Sequence, residues 1–166
     1  KKIINLLAKL QLINQKIIKD FKKKNYKVPV YSSQILLEET KLFSDWYSDQ
    51  NLTKAKKIKF KKRFIEIVKS LIKKLHLKNN TFVHRDFHIS NLMMVKNSIG
   101  VIDTQDALIG NKAYDLASLV DDVRFNTSKD IKKKLLNLYF KSQNKLNKQH
   151  FKNDFEIISV LRNLKI

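Results

Sequence analysis

Glycine, proline and cysteine are almost absent from this sequence of 166 residues, which contains two glycines, one proline and no cysteine. Without cysteine, the chain has no disulfide framework, no thiolate metal site and no cysteine nucleophile. The two glycines, Gly100 and Gly110, are ten positions apart, so neither common type of glycine-rich phosphate loop is present. No run of about 18 uncharged apolar residues occurs, so the sequence predicts no membrane-spanning helix.

Negative charge is also scarce, because 15 Asp and Glu residues stand against 35 Lys and Arg residues, giving a formal net charge of +20. Only four of the basic residues are arginines. A lysine bias with abundant Asn and Ile is typical of an AT-rich genome, whereas nucleic-acid readers rely on arginine forks and interleaved aromatics. We therefore expect no nucleic-acid partner. A basic helical nucleic-acid-binding protein without catalysis is the alternative from a different class.

The basic and partly apolar start of the chain is not predicted to be a signal peptide, because polar residues at positions 9, 11, 14, 15 and 16 interrupt it. With neither a signal peptide nor a predicted membrane span, we expect a cytoplasmic protein that does not bind membranes. The length suffices for one domain with a sizeable core.

The spacing of apolar residues predicts a mostly helical chain whose period changes in the middle. Helices are predicted over residues 2–21, from Ser32 or Ser33 to about Tyr47, and over 52–76, 112–124, 129–143 and 151–166. Residues 27–31 are predicted to be extended and 81–85 to form a short strand. Residues 92–95 and 99–104 are predicted to pair as a hairpin, joined through residues 96–98 rather than by a two-residue turn. The predicted fold class is α+β, mostly helical with one small central β-hairpin.

Residues 84–91 have the sequence His-Arg-Asp-Phe-His-Ile-Ser-Asn, which is the H-R-D-x-x-x-x-N pattern of a kinase catalytic loop. Phosphoryl transfer needs an acceptor for the proton of the substrate hydroxyl, and Asp86 supplies a carboxylate. It also needs oxygen ligands for magnesium, which Asn91 and, twelve residues later, Asp103 can supply. The joint spacing therefore predicts a catalytic base at Asp86 and magnesium ligands at Asn91 and Asp103.

Each of these polar residues also has a structural explanation when it is taken alone. Asp86 can cap a turn, Asn91 can form an Asx-turn and Asp103 can begin a loop. In the same segment, His84 is predicted to hold the loop through hydrogen bonds, and Arg85 either pairs with a nearby carboxylate or is solvated. The spacing around a hairpin favours the kinase-type site over three unrelated loop residues.

Candidate acceptor-binding residues lie on the second predicted helix and in the loop. Glu39 shares a helical face with Leu42 and Trp46, and a carboxylate on an apolar stripe is costly unless it is paired or lines a cleft. Glu39 is therefore either a substrate ligand or a boundary residue paired with a lysine. Asp45 can hydrogen-bond a sugar, Trp46 can stack on one or belong to the core, and His88 is expected to face the substrate.

Four segments of the sequence carry a family resemblance. They are LEETKLFSDWY at 37–47, FVHRDFHISNLMMV at 82–95, GVIDTQDALIGNKAYDLASLVDDVR at 100–124 and VLRNLKI at 160–166. In order and over most of the chain, they resemble the aminoglycoside phosphotransferase and choline kinase-like superfamily, whose members share the protein-kinase catalytic core. Within that superfamily, the sequence looks most like bacterial kinases that phosphorylate the anomeric hydroxyl of N-acetylmuramate and N-acetylglucosamine.

The resemblance implies an ATP- and Mg²⁺-dependent phosphotransferase that moves a γ-phosphoryl group to a small-molecule hydroxyl, here the anomeric hydroxyl of an amino sugar in cell-wall recycling. It gives the base and metal ligands named above the same roles, and it implies that Asp115 steadies the catalytic loop. Gln105 and Asp106 are assigned to substrate binding; they stand where protein kinases have Phe-Gly, which argues against a protein kinase. An aminoglycoside or choline-type kinase is the alternative within the superfamily.

Kinases of this superfamily also have an upstream lobe with a phosphate-covering loop and a phosphate-pairing lysine. The predicted helical start and the two glycines of this chain supply no such lobe. We therefore expect residues 1–166 to form the C-terminal catalytic and substrate lobe of a kinase-like phosphotransferase, whose N-terminal nucleotide lobe lies outside the chain. The chain alone is expected to be inactive.

Overall fold

The computed structural model describes residues 1–165 and contains both helices and short strands, as the sequence predicts. The helices are α1 (Lys2–Leu10), α2 (Ser33–Asn51), α3 (Lys54–Lys73), α4 (Tyr114–Val120), α5 (Lys129–Lys141) and α6 (Lys148–Asn163), with a 3-10 turn at Ile89–Asn91. The strands are β1 (Ile17–Lys19), β2 (Asn25–Lys27), β3 (Asn79–Val83), β4 (Leu92–Val95), β5 (Ser98–Val101) and β6 (Leu108–Asn111). Across residues 1–165, no helix combines the length and the apolar character needed to cross a membrane.

Helices α4 and α6 form the centre of the core. Every residue of α4 is buried, and α6 packs against it with buried side chains that include Phe151 and Ile158. Full burial of a side chain of this size stabilises a fold by about 1.5–3 kcal/mol. The same helix buries Asp154, whose carboxylate accepts hydrogen bonds from the backbone N–H groups of His76 and Leu77, both at 2.8 Å. This contact fixes the end of the segment that follows α3.

The buried face of α2 is not the face that the apolar spacing predicts. Thr40, Ser44 and Ser48 are buried, whereas Leu42 and Trp46 are 59% and 60% exposed. The buried hydroxyl groups donate hydrogen bonds to carbonyl oxygens of the preceding turn, so they need no partner outside the helix. Helix α3 contacts α2 beside this face, where Phe43 lies near Phe64 and Tyr47 near Phe60. Of the predicted stripe, Leu42 and Trp46 face solvent.

Strands β3 and β6 pair antiparallel and place the end of β3 in the core. Val83 lies opposite Leu108 in the register, and both side chains are buried. The predicted extended segment lies along β6, because the Tyr31 N–H donates to the Ile109 carbonyl and the Ile109 N–H donates to the Pro29 carbonyl, both at 2.8 Å. Strand β6 has no counterpart among the predicted elements, since four residues between a loop and a helix show no period.

Strands β4 and β5 form the predicted central hairpin with a shorter connection than expected. Val95 pairs with Ser98, so the turn has the two residues Lys96 and Asn97 and not three. Lys96 adopts a φ of 51°, in the left-handed region that two-residue hairpin turns require. Strand β5 ends at Val101, before the predicted end at residue 104.

The N-terminal region contradicts the predicted helix over residues 2–21. Helix α1 ends at Leu10, and strands β1 and β2 form a second hairpin that the sequence analysis missed. Asp20 stabilises the hairpin turn by accepting hydrogen bonds from the backbone N–H groups of Lys22 and Lys24, both at 2.8 Å. The apolar residues beyond Leu10 are exposed, so no core contact favours the helix, and the β-branched pair at 17–18 favours a strand.

The other helices keep their predicted positions with different ends. Helix α3 occupies Lys54–Lys73 within the predicted range 52–76, and α4 is shorter than the predicted range 112–124. Helix α6 begins at Lys148 because the Asn147 side chain caps it, accepting a hydrogen bond from the His150 N–H at 3.0 Å. Ile166, the end of the last predicted helix, lies outside the described residues.

Candidate active site

One buried carboxylate supports the start of the loop that follows β3. Asp115, in the first turn of α4, accepts hydrogen bonds from the backbone N–H groups of His84 at 2.8 Å and Arg85 at 3.1 Å. Burial raises the pKa of the Asp115 carboxyl to about 7, while the two N–H groups act in the opposite direction. The contact fixes the loop relative to α4, which is the geometry that a loop-stabilising residue requires.

Side chains on either side of Asp86 anchor the loop in the core. His84 and Phe87 have no exposed surface, and their ring centroids lie 6.2 Å apart. Burial lowers the pKa of His84, which favours the neutral imidazole at physiological pH. Asp86 itself keeps partial exposure, so the loop presents this carboxylate outward while its neighbours are fixed inward.

Asp86, Asn91 and Asp103 come together at the outer side of this loop. The Asn91 Nδ2 atom donates a hydrogen bond to the Asp86 carbonyl at 3.0 Å and lies 3.5 Å from Asp103 Oδ2. The Ile102 N–H donates to the Asn91 carbonyl at 3.1 Å, which joins the segment after β5 to the loop before β4. The structure therefore brings together the three residues that the spacing singled out.

Two residues of the site have backbone conformations that are uncommon for side chains other than glycine. Arg85, directly before Asp86, has a φ of 73°, and Asp103 has a φ of 69°. Such left-handed conformations cost about 1–3 kcal/mol when the surrounding structure imposes them, and they cluster at functional sites. The two strained backbone conformations therefore occur where the chain turns to present Asp86 and Asp103.

The oxygen atoms of Asn91 and Asp103 suit magnesium. Asp103 is exposed, its Oδ1 atom accepts a hydrogen bond from Gln105 Nε2 at 2.6 Å, and its Oδ2 atom has the weaker contact with Asn91. Magnesium commonly takes one or two protein oxygens together with phosphate oxygens and water. No group of three or more His, Asp or Glu side chains suited to a metal occurs in residues 1–165. A divalent ion here would therefore rely on this pair and on nucleotide phosphates.

Arg85 and Glu39 form the pair that links α2 to the loop. Arg85 Nη2 donates to Glu39 Oε1 at 2.5 Å, and the Tyr31 hydroxyl donates to the other Glu39 oxygen. Lys165 Nζ lies 3.8 Å from the same Glu39 Oε1 atom. Asp106 is 4.0 Å from Arg85 Nη1 and stays exposed. Arg85 is therefore paired rather than solvated, and the described contacts of Glu39 are with cations and a hydroxyl of the protein.

A basic cleft lies beside Asp86. Its volume is about 110 Å³, and it is lined by Asp86, Arg124, Arg162 and Lys165. The buried Asp122 accepts hydrogen bonds from Arg124, at 2.8 Å from Nε and 2.5 Å from Nη2. The side-chain hydrogen bond with Arg124 lowers the pKa of Asp122 to about 2, so this carboxylate is charged at physiological pH.

The three cations of this cleft have no role predicted from the sequence. Their positions are far apart in the sequence, so no local spacing connects them to Asp86. One signal was available, since arginine is rare in this lysine-rich chain and three of its four arginines, Arg85, Arg124 and Arg162, lie in the site. In a chain biased toward lysine, an arginine indicates a position that needs a planar, multidentate donor.

Two other predicted site residues lie apart from the cleft surface. His88 is 7% exposed, and burial, followed by the charge of Arg124, lowers its pKa. Asp45 is exposed on α2, where its carboxylate pairs with Lys61 of α3 at 2.7 Å. Among the described residues, the recorded contact of Asp45 is with α3 and not with the catalytic loop.

Comparison of the sequence with known proteins identifies the family of this chain. The sequence profile of the phosphotransferase enzyme family matches residues 1–146. The chain belongs to this family. The match includes the catalytic loop, the hairpin and α4, and therefore the elements that bring Asp86, Asn91, Asp103 and Asp115 together.

Curated relatives of this phosphotransferase-family chain share its sequence in part. An N-acetylmuramate/N-acetylglucosamine kinase of Neisseria meningitidis serogroup B is 36% identical over 95 residues, which is 57% of this chain and 28% of that protein. A protein of the same name from Pseudomonas aeruginosa is 32% identical over 114 residues, which is 69% of this chain and 34% of that protein. The chain thus matches about a third of the length of these relatives.

Proposed function

We propose that this chain is the C-terminal lobe of an ATP- and Mg²⁺-dependent kinase that phosphorylates the anomeric hydroxyl of an amino sugar. The observation that carries the proposal is the convergence of Asp86, Asn91 and Asp103, joined by the contacts of the Asn91 amide at 3.0 and 3.5 Å. Family membership and the names of the relatives support the same reaction class.

In the proposed reaction, Asp86 accepts the proton of the acceptor hydroxyl as that oxygen forms a bond to the γ-phosphorus of ATP. The bond between the γ-phosphorus and the β,γ-bridging oxygen breaks, and ADP leaves. Asn91 and Asp103 would hold Mg²⁺, which neutralises phosphate charge when bound. The contribution of the chain is mainly to position the groups and stabilise charge, because Asp115 and the buried loop side chains fix the carboxylate of Asp86.

The charge of the cleft favours an amino sugar of the kind named in the relatives over a cationic acceptor. Aminoglycosides and choline carry positive charge and need an acidic pocket. The cleft beside Asp86 is lined by three cations and a single carboxylate. The names of the relatives supply N-acetylmuramate and N-acetylglucosamine as the acceptors to test. We propose that the enzyme acts in cell-wall recycling.

The proposal includes a nucleotide lobe outside this chain. Among residues 1–165, the elements before the catalytic loop are three helices, one exposed hairpin and a short strand, and no glycine lies among them. We propose that a separate N-terminal lobe covers the phosphates, that the chain alone is inactive, and that the enzyme is cytoplasmic and binds no nucleic acid.

Phosphorus NMR of the full-length protein with ATP, Mg²⁺ and each amino sugar tests the function. A new sugar 1-phosphate signal is the expected result. A phosphate ester elsewhere on the sugar would contradict the anomeric position, and an ester on choline or an aminoglycoside alone would replace the acceptor class. Turnover by residues 1–166 alone would contradict the need for a separate nucleotide lobe.

A further inference from the structure

The residues that line the basic cleft beside Asp86 have more positive than negative charges. Three cations, Arg124, Arg162 and Lys165, line it together with one carboxylate, Asp86. When Asp86 accepts a proton during the proposed reaction, the lining keeps its three positive charges and loses its negative one. Such a cleft attracts an anion.

The carboxylates behind the cleft are shared and do not cancel this excess. Asp122 binds Arg124 at 2.5 Å and lies 3.6 Å from Arg162 Nη2. Glu39 binds Arg85 and lies 3.8 Å from Lys165, so it too serves two cations. Burial also lowers the pKa of Lys165, as expected for an ammonium group with too little solvation, and a bound anion would offset that cost.

The position of the cleft assigns the anion to the acceptor. A general base lies within hydrogen-bond reach of the proton it removes, so the acceptor hydroxyl must approach Asp86, which itself lines the cleft. Asn91 and Asp103, which would hold the metal and nucleotide phosphates, are not part of the cleft lining. An acceptor with its hydroxyl at Asp86 therefore extends toward Arg124, Arg162 and Lys165.

We propose that Arg124, Arg162 and Lys165 form a subsite for a carboxylate carried by the acceptor sugar. This proposal rests on the proposed function. The two sugars in the names of the relatives are a matched pair, because N-acetylmuramate carries a lactyl carboxylate that N-acetylglucosamine lacks. The subsite makes the enzyme prefer the acidic sugar, and Arg124 and Lys165 determine that preference.

The test compares kcat/KM for the two sugars in the full-length protein and its variants. Arg124→Gln and Lys165→Gln each remove one cation of the cleft, and Arg63→Gln removes one from the exposed surface of α3, where Arg63 contacts Glu66. Loss of a charged hydrogen bond weakens binding by about 10-fold to 100-fold. We expect each cleft variant to lower the preference for N-acetylmuramate by about 10-fold or more, and Arg63→Gln to keep it.

Three outcomes separate the subsite from the proposed function. An equal loss for both sugars would overturn the subsite and assign the cations to the transferring phosphoryl group, which has the same oxyanion chemistry. An unchanged preference in both cleft variants would also overturn it. If neither sugar is phosphorylated by the wild type, the proposed function fails. In that case calorimetric titration with N-acetylmuramate alone still decides the subsite, since Lys165→Gln must weaken binding and Arg63→Gln must not.

Discussion

The inner and outer sides of the catalytic loop are built in opposite ways. On the inner side, His84, Phe87 and Asp115 have no exposed surface, and Asp115 is bound by two backbone N–H groups. On the outer side, Asn91 is half-buried and Asp103 is exposed, with one Asp103 oxygen bound by the flexible side chain of Gln105. The inner side consists of buried contacts within the fold, and the outer side leaves oxygen atoms available to ligands.

This difference separates the positioning of a reactive group from the binding of its ligands. Asp86 lies at the boundary, because its neighbours His84 and Phe87 are buried while its own side chain reaches the basic cleft. Substitutions on the outer side should change the chemistry with little effect on folding, and substitutions on the inner side should change stability first.

The largest effect is expected from Asp86→Asn, which removes the proposed base and preserves the size of the side chain. General-base catalysis contributes about 100-fold to 10,000-fold, so kcat of the full-length protein should fall by that range while the melting temperature stays near that of the wild type. Steady-state assays and thermal unfolding of both proteins provide the measurement. Asp130→Asn, an exposed aspartate of α5, is the matched control for activity. Near-normal kcat in Asp86→Asn would refute the base assignment.

Asp103→Asn is expected to have the next largest effect on activity. The change removes the negative charge of the proposed metal ligand but keeps an oxygen, so the Mg²⁺ concentration for half-maximal rate should rise by about 10-fold or more. Titration of activity with Mg²⁺ at saturating ATP measures this shift. An unchanged Mg²⁺ requirement would show that Asp103 does not bind the metal and would leave its contact with Gln105 as its role.

The inner side is tested by the pH dependence of Asp115→Asn. The pKa of Asp115 in the folded chain, about 7, exceeds its ordinary value of 3.8, so folding takes up a proton between those values. The stabilisation from this proton is complete below the lower value and is lost as pH rises through about 7. Asparagine does not titrate, although its Nδ2 atom cannot accept the hydrogen bond that one Asp115 oxygen accepts. The difference in unfolding free energy between variant and wild type should therefore shift by about 1–3 kcal/mol toward the variant from about pH 5 to pH 7.5, whatever its value at pH 5.

The measurement for Asp115 is the denaturant unfolding midpoint of the full-length wild type and of the variant, each at about pH 5 and about pH 7.5. Comparing the two proteins removes the contribution of groups that titrate in both. An unchanged difference between the two proteins from pH 5 to pH 7.5 would show that the N–H groups of His84 and Arg85 outweigh burial and keep Asp115 charged.

The same division explains which features the sequence could predict. Asp86, Asn91 and Asp103 lie within 18 positions, and their spacing follows from one loop and one hairpin, so local pattern sufficed to bring them together. The hairpin at β1 and β2 was missed because residues 12–21 have helical apolar spacing but make no core contact that would favour a helix. The cations Arg162 and Lys165 reach Asp86 only through the packing of α6, which no local spacing encodes.

The smallest effect is expected from Asp45→Asn, on the solvent-exposed stretch of α2. Asp45 was a sequence candidate for sugar binding, but its described contact is with Lys61, and exposed ion pairs contribute at most about 1 kcal/mol to stability. Asp49→Asn is a matched control, because Asp49 lies one turn further along α2 and pairs with Lys57 of α3. The KM for the sugar in the full-length protein should stay within about twofold of wild type in both variants. A clear rise in KM for Asp45→Asn alone would restore Asp45 as a substrate ligand. Because Asp45 and Asp49 both pair with a lysine of α3, an effect at Asp45 alone would come from its position. The ligand-binding outer side of the site would then include this part of α2.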